Sequence, residues 1–187
     1  MAPILGIIAS SQTASTLTAF ESIATATGTG SSGTITFSSI PSTYQHLQLR
    51  WISRSSRAVT ADNMRISFNG ATSTYADHIL YGDGATAAAA GQTALTYITL
   101  QDATTGANAT ANIMGVGVLD IHDYASTTKA KTLRSFHGND RNGAGVIALS
   151  SGLWTTTSAI NSISIVVGST GNFTTATSFA LYGIKGS

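Results

Sequence analysis

The chain has 187 residues, of which only 9% are charged, with nine Lys and Arg against eight Asp and Glu and a net charge of +1. That balance gives no broad basic footprint for nucleic acid. The absence of cysteine rules out disulfides, thiolate catalysis and cysteine-ligated zinc. Sparse charge also leaves polar, uncharged surfaces that are cheap to desolvate when subunits pack.

The first charged side chain is Glu21, so MAPILGIIASSQTASTL opens the chain without charge. A secretory signal carries a positive n-region before its apolar stretch, and here Pro3 stands in that place. No run of about 20 apolar residues exists to cross a bilayer as a helix. Residues 1–18 lack both strand and helix period, which predicts an extended N-terminal arm. Pro3, Ile4, Leu5, Ile7 and Ile8 are its expected partner-binding residues. Residues 19–187 are expected to form one domain.

Beyond the arm, alternation of apolar and polar residues is bounded by Gly, Ser, Thr and Asn clusters, the pattern of strands and turns. FESIATAT is a weak first strand, and GTGSSG at 28–33 reads as a flexible connector. GTITFSSI sets Ile35 and Phe37 on one face. HLQLRWISRS sets Leu47, Leu49 and Trp51 against His46, Gln48, Arg50 and Arg54. NMRISFNG aligns Met64, Ile66 and Phe68 and turns at Asn69-Gly70, a favoured tight-turn pair. YADHILYG is an ambiguous strand, and the alanine run at 85–90 reads as a loop. ALTYITLQ, NIMGVGVLDIHD, KTLRSFHG, GVIALSS, SISIVVG and SFALYGIKG are further strands, the last expected inside a sheet because an apolar exposed edge invites aggregation.

Nine or ten strands at this spacing predict an all-β fold, a two-sheet antiparallel β-sandwich of jelly-roll type. The expected core comprises Phe37, Leu47, Leu49, Trp51, Ile66, Phe68, Leu119, Ile163, Ile165, Phe179 and Leu181. Helix should be nearly absent.

Residues that could carry chemistry are few. Asp120 and His122 share a strand face, and His137 and Asp140 follow on the next strand, a set that could hold a metal or form an acid–base pair. Their place at strand ends, where polar residues belong anyway, favours a structural role, and no catalytic residue, metal or cofactor is assigned. No nucleophile elbow, zinc-protease helix or phosphate loop occurs, so the chain is expected not to be an enzyme. Arg50, Arg54 and Arg57 concentrate basic charge in one region, either a partner-binding patch or a solvated face. Tyr75, Tyr81, Tyr97, Tyr124 and Trp154 could line a sugar-binding surface, or fill the core and subunit contacts.

ITFSSIPSTYQHLQLR, RISFNG, HILYGDG, DYASTTKAKT, SGLWTTTSAINSISI and FALYGIKGS, taken in order, resemble a family of bacteriophage structural proteins from tailed phages of aquatic bacteria, cyanophages included. PILGIIASS is similar to the start of these proteins, and the alanine-rich 85–90 stretch and the uncharged residues 155–157 depart from the pattern. The resemblance implies a virion structural protein assembled in the host cytoplasm, with no catalytic residues. It implies a capsid cement or decoration protein that binds the major capsid protein or other virion proteins through its sandwich and its arm, as a homo-oligomer, with a trimer favoured. A tail, neck or fibre component with a glycan-binding or receptor-binding face is the alternative, and a secreted glycan-binding module or hydrolase a third reading. Neither nucleic acid nor membrane is an expected partner.

Overall fold

A computed structural model describes residues 19–186. The expected arm, residues 1–18 with Pro3, Ile4, Leu5, Ile7 and Ile8, lies outside the described residues.

Twelve strands and no helix make up the described chain. They are β1 (Phe20–Thr27), β2 (Thr34–Phe37), β3 (His46–Ser53), β4 (Ala61–Phe68), β5 (Tyr75–Gly82) and β6 (Ala87–Leu95), then β7 (Ile98–Thr105), β8 (Gly115–His122), β9 (Lys131–Asp140), β10 (Gly145–Trp154), β11 (Ile163–Val167) and β12 (Ser178–Ile184). Eight of them form a long antiparallel ribbon in which β1 pairs with β12, β2 with β11, β3 with β8 and β4 with β7. The ribbon rolls up so that β12 also pairs with β3 and β11 with β4. The result is β1-β12-β3-β8 packed on β2-β11-β4-β7, the strand order of a jelly roll. Two hairpins interrupt it, β5–β6 and β9–β10, and both join the edge beside β8. One sheet is thereby widened to eight strands, β1-β12-β3-β8-β9-β10-β5-β6, while the other keeps four.

All eleven expected core residues are buried. They come from the alternating faces of β2, β3, β4, β8, β11 and β12, where one apolar face per strand can be covered only by the other sheet. Tyr75, Trp154 and Phe68 close one end of this core. The Tyr75 and Trp154 rings stack 6.0 Å apart, and the Tyr75 hydroxyl accepts the Phe68 N–H at 2.8 Å. β12 lies inside the sheet between β1 and β3, as its apolar pattern demands.

Three local expectations are corrected. The ambiguous YADHILYG segment is a full strand, paired along its length with β10 on one side and β6 on the other. The alanine run is not a loop: residues 87–90 begin β6. Alanine is a weak strand former, but β-structure depends more on pairing context than on intrinsic preference. The turn before it is built by Asp83, whose Oδ1 accepts the Ala85 and Thr86 N–H groups at 2.9 and 2.7 Å. The GTGSSG stretch is pinned rather than loose. Gly28 and Gly30 donate their N–H groups to Thr177 and Phe173 carbonyls at 3.0 and 2.9 Å. A Cβ at Gly28 would stand 2.1 Å from the Thr174 carbonyl oxygen, so the close approach of the two segments needs glycine.

The Asn69-Gly70 turn forms as expected, with both residues at positive φ (53° and 69°). Asn69 does more than turn the chain. Its side chain donates to the Ala159 carbonyl at 2.8 Å and accepts the Asn161 and Ser162 N–H groups, tying the strand end to the approach of β11.

Candidate partner-binding face

The outer face of the wide sheet is divided into bands by the strand register. One cross-strand row runs Gln48, Asp120, Arg134, Ser151, His78. The next runs Arg50, Val118, Phe136, Leu149, Leu80, Ala89, and the third runs Ile52, Val116, Gly138, Ile147, Gly82. A polar band therefore lies beside an apolar one two rows deep.

The apolar band is exposed. Val116, Phe136, Leu149, Leu80 and Ile147 retain between 50% and 56% of their accessible surface. Scattered exposed hydrophobes are ordinary, but a contiguous patch on one sheet face is the mark of an interaction surface. Gly138, between Val116 and Ile147, has no side chain to fill the row, and a groove of about 1120 Å³ opens there. Val118, Phe136 and Ile147 line it together with Arg50, Asp83 and Asp140.

The strands that build this face carry an inverted pattern. On β10, Ala148, Ser150 and Gly152 point inward while Ile147 and Leu149 point out. On β9, Ser135, His137 and Asn139 are buried while Phe136 is exposed. The cause is β7, which packs directly under β8, β9, β10 and β5. A Cβ at Gly152 would meet the Ile98 side chain at 2.8 Å, and the Asn139 amide donates to the Asp102 carbonyl at 2.7 Å. So close an approach leaves room beneath residues 135–139 and 148–152 for small or hydrogen-bonding side chains, while the larger Leu133 and Trp154 are buried further along the same strands.

His137 is one of these. Its Nε2–H donates to the Gln101 carbonyl at 2.9 Å, so its Nδ1 accepts the Ser135 hydroxyl at 2.9 Å. Burial holds the imidazole below its ordinary pKa, neutral in this tautomer. Nearby, burial raises the carboxyls of Asp102 and Asp77 above the usual range.

The polar band is largely satisfied within itself. Arg50 Nε donates to Gln48 Oε1 at 2.7 Å, Gln48 Nε2 donates to Asp120 Oδ1 at 2.8 Å, and the Arg50 guanidinium lies over the Tyr182 ring at 5.6 Å. His122 meets Arg134 at 3.3 Å and the His46 ring edge-on at 5.1 Å. Desolvation first, and then the Arg134 charge, depress the His122 pKa.

The four residues Asp120, His122, His137 and Asp140 are not brought together. The first two face out with Arg134, His137 faces in beneath Gln101, and Asp140 ends β9 in the lining of the groove. No cluster of three or more metal-ligating side chains occurs among the described residues.

The three arginines are also separated by function. Arg50 is exposed on the candidate face. Arg54 turns its guanidinium into the 106–114 loop, where it donates to the carbonyls of Thr110, Ile113, Ala107 and Ala109 at 2.9, 2.8, 3.2 and 2.7 Å. Arg57 pairs at 2.9 Å with Asp62, a buried carboxylate that also accepts the Ser55 hydroxyl at 2.8 Å. Of the aromatic set, Tyr75, Tyr124 and Trp154 belong to the core, and Tyr97 lies under Arg65 at 4.4 Å.

Val116, Val118, Phe136, Ile147, Leu149 and Leu80 were not singled out by sequence reasoning. The available signal was apolar residues on both faces of VGVLDI and large residues alternating with small ones in VIALSS. Either can mean a strand covered on both sides.

Fold and face together define a widened jelly roll with a grooved, apolar outer sheet. The chain matches no protein-family model, no curated protein and no solved structure.

Proposed function

We propose that this protein is a non-enzymatic structural component of a tailed-phage virion, a cement or decoration protein of the capsid that works as a homotrimer. The observation that carries the reading is the outer face of the wide sheet: a contiguous apolar band, half exposed and poor in charge, on a two-sheet sandwich. Such a face can be buried against a lattice of other subunits with little charge desolvation. Jelly rolls recur in viral capsids, and also in lectins and cupins, so the fold supports the role only by analogy. The resemblance of the quoted segments to phage structural proteins supplies the virion context. The arm expected at residues 1–18 would add further apolar surface to the attachment.

Quantitative mass spectrometry on purified particles tests the proposal. A copy number near that of the major capsid protein is the expected result, together with a trimer by light scattering. A few to a few dozen copies per particle would instead assign the chain to the tail, neck or fibre. Its absence from particles would overturn the virion role.

A further inference from the structure

A sheet edge presents a row of unpaired N–H and C=O groups, and folded proteins guard such edges against pairing with another chain. Of the four sheet edges among the described residues, three are guarded. β2 is only four residues long. β1 carries a register break between Ser22 and Ala24 and the Glu21–Lys185 ion pair. The free edge of β7 is occupied by side chains of the wide sheet. Asp77 Oδ2 accepts the Thr99 N–H at 2.9 Å, and His137 Nε2–H and the Asn139 amide donate to the Gln101 and Asp102 carbonyls at 2.9 and 2.7 Å.

The fourth edge, β6, has none of these guards along most of its length. It is nine residues long, AAAAGQTAL, without a charge or a proline. Its register with β5 is regular from Ala87 to Gln92, and the break, with Ala94 at a φ of 56°, comes only near its end. No strand among the described residues pairs with its other side, and residues 87 and 89–94 are exposed. The β5–β6 hairpin also overhangs the four-stranded sheet. Ala90 shares the inward side with Ile79 and the buried Ser150, yet it is exposed.

We infer that β6 is where a second copy of this chain joins the sheet, β6 against β6, antiparallel about a two-fold axis. The inference does not depend on the virion role. Two observations select a second copy over a foreign strand. The first is charge. Self-pairing brings like charges on an edge strand together, at a cost in stability, and β6 has no charge to bring. A strand shaped for a foreign partner is free to use charge for selection.

The second is continuity of the outer face. Ala89 ends the apolar row that runs through Val118, Phe136, Leu149 and Leu80. A two-fold axis at Ala89 sets Ala87 opposite the partner's Gly91 and Ala88 opposite the partner's Ala90, so no large side chain holds the backbones apart. The apolar row then passes through the partner's Ala89 to the partner's Leu80 and the partner's Leu149. Two sheets of eight strands become one of sixteen, and the apolar band doubles in length without a break. An isologous contact closes after two copies, so it would join the proposed trimers in pairs rather than build them.

The test is the mass of the full chain in solution, by sedimentation over a concentration series. Ala89→Lys, at an exposed position, sets two ammonium groups across the axis and should halve the mass seen for the wild type at the highest concentration. Ala89→Glu should do the same, and an equimolar mixture of the two variants should restore the full mass. Leu149→Lys, in the middle of the apolar band, should leave the mass unchanged. A wild-type mass equal to that of Ala89→Lys overturns the inference and leaves an extended segment of another protein as the occupant of the edge. Halving that the mixture does not repair also overturns it, and so does halving by Leu149→Lys, which would move the contact from the edge to the face. None of these results bears on the copy number in particles, which decides the virion role separately.

Discussion

Replacing Arg54 by alanine distinguishes a fold-holding arginine from a partner-binding one. The Arg54 guanidinium is the hub of the 106–114 loop, with four backbone carbonyls accepting its N–H groups at 2.7–3.2 Å. Its main chain is engaged too, since its carbonyl accepts the Thr174 N–H at 2.9 Å and its N–H donates to Thr177 Oγ1 at 3.0 Å. Buried hydrogen bonds to a charged group contribute about 1.5–3 kcal/mol each. Part of this loop is exposed, however, and water can replace the lost donor there. Discounting for that gives about 0.5–1 kcal/mol per bond, or about 3 kcal/mol for the four. A domain of this size loses about 2–4 °C of melting temperature per kcal/mol, so Arg54→Ala should melt about 6–12 °C lower. Arg50→Ala, which removes a side chain from the outer face, should shift it by less than about 2 °C. Differential scanning calorimetry on both variants beside the wild type provides the measurement. Equal, small shifts would refute the reasoning and return Arg54 to the set of surface arginines available to a partner.

Burial holds the His137 pKa below its ordinary 6.5, so its contribution to stability is complete above about pH 6.5 and is lost as pH falls through the lower folded value. The raised carboxyls of Asp77 and Asp102 act in the opposite sense, taking up protons in the folded state first. The His137 part is therefore read as a difference. Between pH 7 and 5 the wild type should lose more stability in urea titrations than His137→Gln, and parallel curves would contradict the assignment. Lys131 is buried, and its ammonium donates to the Ser126, Lys129 and Thr157 carbonyls at 2.5, 2.7 and 3.1 Å. Lys131→Met keeps the aliphatic stem and should still cost about 2–4 kcal/mol through three unpaired acceptors, with faster hydrogen exchange across 125–130 and 155–158. A Cβ at Gly117 would stand 2.2 Å from the Trp51 ring and 2.7 Å from His137 Cβ. Gly117→Ala should therefore cost about 1–3 kcal/mol by overpacking and shift the tryptophan emission, whereas an unchanged spectrum and melting point would show that the ring yields freely.

The fold class was legible in the sequence because it rests on local signals. Period-two alternation in TITF, HLQLRWIS, NMRISF and ISIVV marks strands with one face to cover, and eight of the eleven expected core residues follow from that alternation alone. The Asn69-Gly70 turn could be read from two residues, since both need positive φ. The strand order could not be read, because it depends on which edges find one another over separations of more than a hundred residues, as Phe20 does with Ile184. Pairing also decided the state of the alanine run: alanine is indifferent, and β5 offers its neighbour a complete ladder of donors and acceptors.

The arginines make the same point for the site. Arg50, Arg54 and Arg57 look alike as a local charge cluster, but only the folded chain places one guanidinium over a tyrosine, one among four carbonyls and one against a buried aspartate. The apolar face is the sharpest case. Alternation specifies that Ile147 and Leu149 share a side of β10, and Ala148 and Ser150 the other. It does not specify which side meets the core. The usual rule sends the large residues inward, and here they face out because β7 runs so close beneath residues 135–139 and 148–152 that small and hydrogen-bonding side chains fit there. Sequence periodicity defines two faces for every strand, and the neighbouring backbone, through the space it leaves, decides which of them is buried.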